Sequence, residues 1–233
     1  MTDRNEPPKA VAVITQALHW AYDHASDSVA GLGSATGLAG KHLRNNAGDR
    51  EKAIDELIAW QASYAGAAGF VSNLGGLITM PVAIPANLAS VLLIQLRMIA
   101  AIAHLRGYQL DEERVRTLSF VCLTGSAAAN IMEEFSVSLG IKLSSRVIMQ
   151  ISGETLLKIN RAVGFRLVAR AGSKGLINIT KLVPLVGGLA GGAFDAMMTR
   201  GIGTVAKQQF SVVEDQNTNM AVPAIDADWQ RHP

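Results

Sequence analysis

The sequence contains very little cysteine, which limits the kinds of protein it can encode. Its one cysteine, Cys122, stands inside an apolar run, so no disulfide framework can form within the chain. The first residues, MTDRNEPPKAVAV, hold acidic side chains and prolines where a signal peptide would have an apolar core. We therefore expect a cytoplasmic protein of a reducing compartment, with Cys122 as a buried structural thiol rather than a nucleophile.

Metal-binding and catalytic patterns are also scarce. The five histidines do not stand at metal-site spacings, and no phosphate-binding loop or GxSxG motif is present, so we expect no metal and no cofactor. One enzyme hypothesis stays open, a hydrolase of lipids or peptides in which His19 or His24 acts with Ser26 or Ser28. Aromatic residues make up only 5% of the chain and, apart from Phe165, do not interleave with basic residues. Nucleic-acid binding is therefore not expected.

Charge is absent from the whole of residues 57–96. This is longer than the roughly 20 apolar residues of a membrane-spanning helix, but the prolines and glycines of GFVSNLGGLITMPVAIP argue against one unbroken helix. We interpret the stretch as the end of one helix, a tight apolar turn, and a new helix from Pro85 to about Leu105, closed by Gly107. A second helix rich in small residues is predicted from near Pro184 to about Phe210.

Apolar residues recur at helical spacing almost throughout the chain, without sustained period-two alternation. We therefore predict an all-α fold, a single compact helical bundle whose core contains the two long, small-residue-rich apolar helices just described. The domain boundaries follow from the same pattern. We expect a flexible N-terminus at residues 1–8, a helical domain at 9–211, and a disordered C-terminal tail at 212–233, where the periodicity is lost.

The remaining helices have identifiable starts and ends. A first helix is predicted at residues 8–29, followed by a loop or hinge at the glycine-rich GLGSATGLAG. Asp49 and Asp111 are predicted to cap the next helix and the one after Gly107, and the latter is expected to break near Gly125. Two further helices are predicted at 142–152 and 154–171. The predicted inward faces of the first two helices are Val11, Ile14, Leu18 and Tyr22, and Ile54, Leu57, Ile58 and Gln61.

Polar side chains inside the two apolar helices are candidates for a ligand site. A charge that is buried without a partner costs several kcal/mol or shifts its pKa, so Arg97, Asp195 and Arg200 are expected to have partners, with Asp195 pairing with Arg97 or Arg200. One interpretation is a structural ion pair between the helices that fixes their register. The other is a site for the polar end of an amphiphilic ligand, formed by Gln95, Arg97, Asp195 and Arg200, with the acyl chain between the two apolar helices.

Net charge is only +2, but it is distributed unevenly. Residues 142–181 carry 8 basic side chains and 1 acidic one, whereas the segments on either side are net acidic. Within this block, ETLLKINRAVGFRLVARAG is amphipathic at helical spacing, with Leu156, Leu157, Val163, Leu167 and Val168 predicted on one side. Its opposite side is predicted to contact an anionic membrane, or to be simply solvated, through Lys158, Arg161, Arg166 and Arg170.

Several segments together resemble the EcsC family of bacterial proteins over about residues 10–210: QLRMI, GYQLDEERVRTL, INRAVGFRL and the late PLVGG. A weaker similarity connects the chain to the apolar C-terminal domain of some bacterial small GTPases. The resemblance implies a bacterial, all-helical domain associated with the cell envelope. The family is named after a protein encoded beside an ABC transporter linked to secretion, and the resemblance implies no catalytic residues.

Our leading functional hypothesis is a non-enzymatic protein, peripheral to the inner face of the cell membrane, that binds lipid or another apolar ligand. The alternative is an interaction module without a ligand, which docks on an ABC transporter or a secretion component. The hydrolase is the least favoured of the three hypotheses.

Overall fold

A computed structural model describes residues 8–27, 33–66, 86–135, 151–171 and 188–210. These ranges contain helices and no strands, which confirms the predicted all-α fold. The helices are α1 (Lys9–Ser26), α2 (Ala35–Asn45), α3 (Arg50–Gly66), α4 (Ala86–Leu105), α5 (Glu113–Leu123), a 3-10 turn (Gly125–Ala127), α6 (Ala128–Glu134), α7 (Gly153–Ala171) and α8 (Gly188–Gln209).

The central element is α4, which packs against α1, α2, α3, α5 and α8. Its sequence is apolar on nearly every side, as expected for a helix surrounded by others, and residues 98–103 are fully buried. The predicted end of this helix is confirmed, because α4 stops at Leu105 and Gly107 follows with a φ of +92°. That left-handed conformation favours glycine, since a side chain would be strained there.

The predicted inward faces of α1 and α3 are also confirmed. Val11, Ile14, Leu18 and Tyr22 are all buried on α1, and the four predicted residues of α3, including the polar Gln61, are buried as well. Asp49 caps α3 as expected, its Oδ1 accepting a hydrogen bond from the Lys52 amide at 3.0 Å. Cys122 lies buried on α5, and burial raises the pKa of its thiol.

The prediction of a loop or hinge at GLGSATGLAG, residues 31–40, was wrong for most of its length. α2 begins at Ala35, and the Ser34 hydroxyl caps it by accepting a hydrogen bond from the Gly37 amide at 3.0 Å. Packing on α4 buries Leu38 and Ala39. The cap and this burial together outweigh the low helix propensity of the two glycines in the helix.

The predicted cap at Asp111 was wrong as well. α5 begins at Glu113, its N-cap position is Glu112, and no side chain accepts a hydrogen bond at that cap. The predicted break near Gly125 is confirmed: this residue has a φ of +60° and starts the 3-10 turn that separates α5 from α6. A left-handed residue cannot continue a right-handed helix, so the chain turns here.

A close backbone approach and ion pairs attach α8 to α3. Gly203 faces Ile58 so closely that a Cβ atom at residue 203 would stand 2.8 Å from the Ile58 Cγ1. Beside them, Glu51 forms ion pairs with the buried Arg106, which follows α4, and with Lys207 of α8. Glu51 therefore connects three helices. A similar approach occurs between α7 and α1, where Gly164 faces Val11.

Several sequence predictions lie outside the described residues. These are the N-terminus at 1–7, the apolar turn before α4 with Pro85, most of the helix predicted at 142–152, the helix start near Pro184, and the tail from residue 211 onward. Of the helices in the described ranges, none combines the length and apolarity needed to cross a membrane.

Candidate functional site

The inner face of α7 explains how this helix is fixed on the bundle. Ser152 starts it, with its hydroxyl oxygen accepting a hydrogen bond from the Thr155 amide at 3.2 Å. α7 packs against α1, α5 and α6. The side chains that it buries there recur every three or four residues: Leu156, Ile159, Val163 and Leu167. Val168 is half-buried beside them.

The outer face of α7 is not purely polar. Leu157 is 71% exposed and Phe165 is 44% exposed, and both belong to one stripe in which residues 157, 161 and 165 follow at four-residue intervals. The prediction that Leu157 faces inward was therefore wrong. Each residue rotates the helix by about 100°, so Leu156 and Leu157 cannot both point at a core centred on Leu156.

Three predicted membrane-contact residues do lie at the surface of α7. Lys158 and Arg161 are exposed, and Arg166 is half-buried. Lys158 pairs with Glu154 at 2.6 Å, and Arg166 pairs with Glu134 of α6 at 3.8 Å. Arg161 has no ion pair among the described residues. The fourth residue, Arg170, belongs to the last turn of α7, but its side chain lies outside the described part.

Arg97 lies half-buried on α4, beside the connection between α1 and α2. Its Nη2 atom is 3.7 Å from the point where a Cβ atom of Gly33 would stand, and Gly33 has a φ of +66°. Burial lowers the pKa of this guanidinium, and its Nε atom has no hydrogen-bond partner among the described residues. Arg97 is thus a partly desolvated cation. Gln95, also half-buried, precedes it on the same helix.

Arg200 lies in a different setting, exposed on α8, so the expectation that it is a buried charge in need of a partner was wrong. It borders a groove of about 480 Å³ between α8 and the 3-10 turn, lined by Gly125, Ser126, Met197, Met198, Arg200, Gly201, Ile202, Thr204 and Val205. No pattern in the sequence indicated that the 3-10 turn would lie beside Arg200. Asp195 is on α8 by its backbone, but its side chain lies outside the described part. Among the described atoms, no hydrogen bond or ion pair brings Gln95, Arg97 and Arg200 together.

The histidines of the hydrolase hypothesis have other neighbours. The Nδ1 atom of His24 is 2.8 Å from the Trp20 carbonyl oxygen, and the His24 ring lies against the Trp20 ring. The Nδ1 atom of His19 is 3.5 Å from Arg116, and its ring meets Phe120 edge-on. In the described ranges, neither histidine hydrogen-bonds a hydroxyl or a carboxylate. No group of three or more potential metal ligands occurs in those ranges either.

We expect the free energy of unfolding to decrease as the pH falls below about 6.5. Burial lowers the pKa values of His19 and His104. At His19 the charge of Arg116 lowers the pKa further, while Glu113 and Asp23 partly offset the decrease. At His104 the charge of Arg50 lowers the pKa further. The unfolded chain therefore binds protons at a higher pH than the folded one. The decrease in the free energy of unfolding stops once the pH is below the folded-state pKa values of both histidines. Urea titrations between pH 8 and pH 5 would measure it. A protein carrying His19→Gln and His104→Gln should show a smaller decrease in the free energy of unfolding. The same decrease in this variant would contradict its assignment to the two histidines.

An exposed aromatic pair on α3 was missed by sequence reasoning. Trp60 and Tyr64 are 40% and 43% exposed and stack with 5.3 Å between ring centroids and 9° between ring planes. Lys41 of α2 lies over the Trp60 ring at 5.6 Å from its centroid. The available signal was the four-residue spacing of the two aromatic residues, which places neighbouring side chains on one helix face.

The sequence model of the EcsC protein family matches residues 47–212. The chain belongs to the EcsC family. The match begins within the turn between α2 and α3, so α1 and all of α2 precede it, although both pack against α4. Neither the curated proteins nor the solved structures contain a significant match to this chain.

Proposed function

We propose that this EcsC-family protein binds the surface of anionic bilayers through the outer face of α7, defined as Leu157, Lys158, Arg161, Phe165 and Arg166. The observation that carries the proposal is the exposure of two large apolar side chains, Leu157 and Phe165, on the same helix face as the exposed Lys158 and Arg161. Single exposed apolar residues are common on soluble proteins. Apolar residues flanked by cations along one face are what a helix lying in a bilayer interface presents.

Electrostatics supports the same partner. Each basic side chain near an anionic leaflet contributes roughly 1 kcal/mol. On the outer face of α7, Glu154 offsets Lys158 and Glu134 offsets Arg166, so Arg161 supplies the net positive charge of the described part. Attraction from a single net charge is weak, and we therefore expect Leu157 and Phe165 to contribute as much as the charges, by insertion among the headgroups.

The lipid-binding part of the hypothesis stays a prediction. It is supported by two of the arginines that lack an ion-pair partner among the described residues, the half-buried Arg97 and the exposed Arg200. They lie in different surroundings, beside Gly33 and beside the 3-10 turn, respectively. A single site that contains both, together with Gln95 and Asp195, would need contacts that involve side chains outside the described part.

A second candidate function is docking on a protein partner, such as a membrane transporter or a secretion component. The observation that favours it is the exposed, stacked pair of Trp60 and Tyr64 on α3. Tryptophan and tyrosine are enriched at the energetic centres of protein interfaces, where rigid rings supply contact area at low cost in entropy. This pair is on a different helix from the proposed bilayer contact, so separate variants test the two functions.

Vesicle sedimentation tests the bilayer proposal. We expect the protein to sediment with vesicles of equal parts phosphatidylglycerol and phosphatidylcholine, and much less with phosphatidylcholine alone. Arg161→Glu should weaken binding about thirtyfold, because it removes one attraction and adds one repulsion, each of roughly 1 kcal/mol. Replacing Leu157 and Phe165 together by glutamate should abolish binding. The matched control is Lys52→Glu, a charge reversal at an exposed lysine of α3.

Two results would contradict the bilayer proposal. One is equal binding to the neutral and anionic vesicles, and the other is unchanged binding after the Leu157 and Phe165 replacements in a protein with unaltered helix content. Retained vesicle binding in a Trp60→Ala, Tyr64→Ala protein is expected, since these residues belong to the second candidate function. Loss of capture of a co-expressed transporter component by that same protein would favour docking on a protein.

A further inference from the structure

The groove between α8 and the 3-10 turn has the dimensions of a small-molecule site. Its volume of about 480 Å³ lies within the range of about 300–1,000 Å³ that ligand pockets occupy. Both of its walls come from described elements, α8 on one side and the turn at Gly125 and Ser126 on the other. None of its lining residues belongs to the outer face of α7, so the groove is separate from the proposed bilayer contact.

Two glycines, which have no side chain, keep this groove open. A Cβ atom built at Gly201 would meet no other atom within 4 Å, and the same holds at Gly125. Gly125 is also held in the left-handed region, with a φ of +60°, where a side chain would be strained. An L-residue with a larger side chain at residue 201 would therefore project into free space rather than into a neighbour.

The apolar part of the lining suits a flexible hydrocarbon chain. Met197 is 68% exposed, and the half-buried Met198 and Val205 continue the apolar surface along α8. Methionine has three rotatable bonds and a polarisable sulfur, so it adapts to ligands of irregular shape. Contact with an apolar chain would also remove the exposed surface of Met197 from water.

The polar part of the lining favours a negative charge. Arg200 is the charged residue of the groove, and none of the other lining residues is acidic. It is exposed and forms no ion pair with another described residue. The Thr204 hydroxyl donates its hydrogen to the Arg200 carbonyl oxygen at 2.9 Å, so its oxygen keeps only acceptor capacity for a ligand. The guanidinium, with five N–H donors and no acceptor, matches carboxylate or phosphate oxygens.

We infer that this groove binds a single-chain amphiphile with an anionic head. The hydrocarbon chain lies on Met197, Met198 and Val205, and the carboxylate or phosphate head binds the Arg200 guanidinium. The site does not depend on attachment of α7 to a bilayer. It places the ligand along one side of α8, rather than between α4 and α8 as the sequence suggested.

Methyl NMR of protein carrying ¹³C-methyl methionine tests this inference at the groove itself. The probes are dodecyl phosphate below its micelle concentration, dodecanol, and inorganic phosphate. We expect dodecyl phosphate to shift the Met197 methyl signal saturably, at a Kd about tenfold or more below that of dodecanol, because the charged head adds a charge-assisted hydrogen bond. Inorganic phosphate alone should leave the signal almost unchanged, since it lacks the chain.

Two variants separate the head from the chain. Arg200→Gln should raise the Kd for dodecyl phosphate about tenfold, towards that of dodecanol. Gly201→Leu should abolish the shift by filling the groove, without a clash that would unfold the protein. Lys52→Gln, at an exposed residue of α3, is the matched control and should bind like the parent protein.

The inference is overturned if the Met197 signal does not saturate, if dodecanol binds as well as dodecyl phosphate, or if Gly201→Leu still binds. The failure of the bilayer proposal would look different. Loss of methyl shifts with retained vesicle sedimentation overturns the groove alone, whereas saturable methyl shifts without any sedimentation support the groove and contradict the bilayer contact on α7.

Discussion

Gly203→Ala is expected to lower the free energy of unfolding by about 2 kcal/mol. The new Cβ atom would stand 2.8 Å from Cγ1 and 3.0 Å from Cγ2 of Ile58, distances at which atoms must move apart. Both of these atoms are attached directly to the Ile58 Cβ, so a rotation of the terminal methyl group cannot relieve the contact. α3 and α8 would have to separate, and the packing on either side of Ile58 would loosen with them.

Urea unfolding of matched variants measures this effect. Gly201→Ala, two residues away on the same helix, meets open space and should leave stability unchanged or raise it by up to about 1 kcal/mol through helix propensity. Ile58→Ala removes all the atoms that the new Cβ meets. The double variant should therefore lose less than the sum of the two single losses. Two results would contradict the contact between Gly203 and Ile58. One is an equal loss of stability in Gly203→Ala and Gly201→Ala, and the other is a double-variant loss equal to the sum of the Gly203→Ala and Ile58→Ala losses.

Glu51→Gln is expected to cost about 2 kcal/mol of stability. The carboxylate of Glu51 accepts hydrogen bonds from both terminal nitrogens of Arg106, whose side chain is only 8% exposed. Removing one partner of a fully buried ion pair costs about 3–5 kcal/mol. The Glu51 side chain is itself 53% exposed, so water partly replaces it, and the expected loss is smaller.

Asp55→Asn provides the comparison for this variant. Asp55 pairs with Lys207, which Glu51 also contacts, but it does not contact Arg106. Because Lys207 is more accessible to water than Arg106, this change should cost less than about 1 kcal/mol. Thermal unfolding in low and high salt would distinguish the two variants further. An Asp55→Asn loss as large as that of Glu51→Gln would show that burial of Arg106 is not what makes Glu51 important.

The helices that sequence reasoning placed correctly are those with a strong apolar face or a clear terminal signal. α1 and α3 carry buried residues at regular spacing, α4 ends at a glycine with positive φ, and the break after α5 occurs at another. Such signals act over a few residues, so the local sequence contains them. α2 was missed because its glycines lower helix propensity, while the packing that stabilises it comes from α4, which begins some 40 residues after the α2 segment ends.

The candidate sites were less predictable because they depend on where helices meet. The exposure of Leu157 follows from the direction in which α7 faces α1 and α5. The groove at Arg200 requires the 3-10 turn, about 75 residues earlier in the chain, to lie beside α8. Likewise, Glu51 and Arg106 are 55 residues apart in sequence. Periodicity identifies which side chains share a face of one helix, but it does not identify the partner of that face.

The contact between α3 and α8 also has a consequence for how the protein is made. Asp55 and Lys207 are separated by 152 residues, so a ribosome adding about 5–20 residues per second completes α3 many seconds before α8 emerges. During that interval Ile58 and the rest of the α3 surface that α8 covers stay open to other chains. Nascent chains released before α8 would keep this surface permanently uncovered. Early termination should therefore yield aggregating fragments and targets for chaperones, rather than a smaller folded protein.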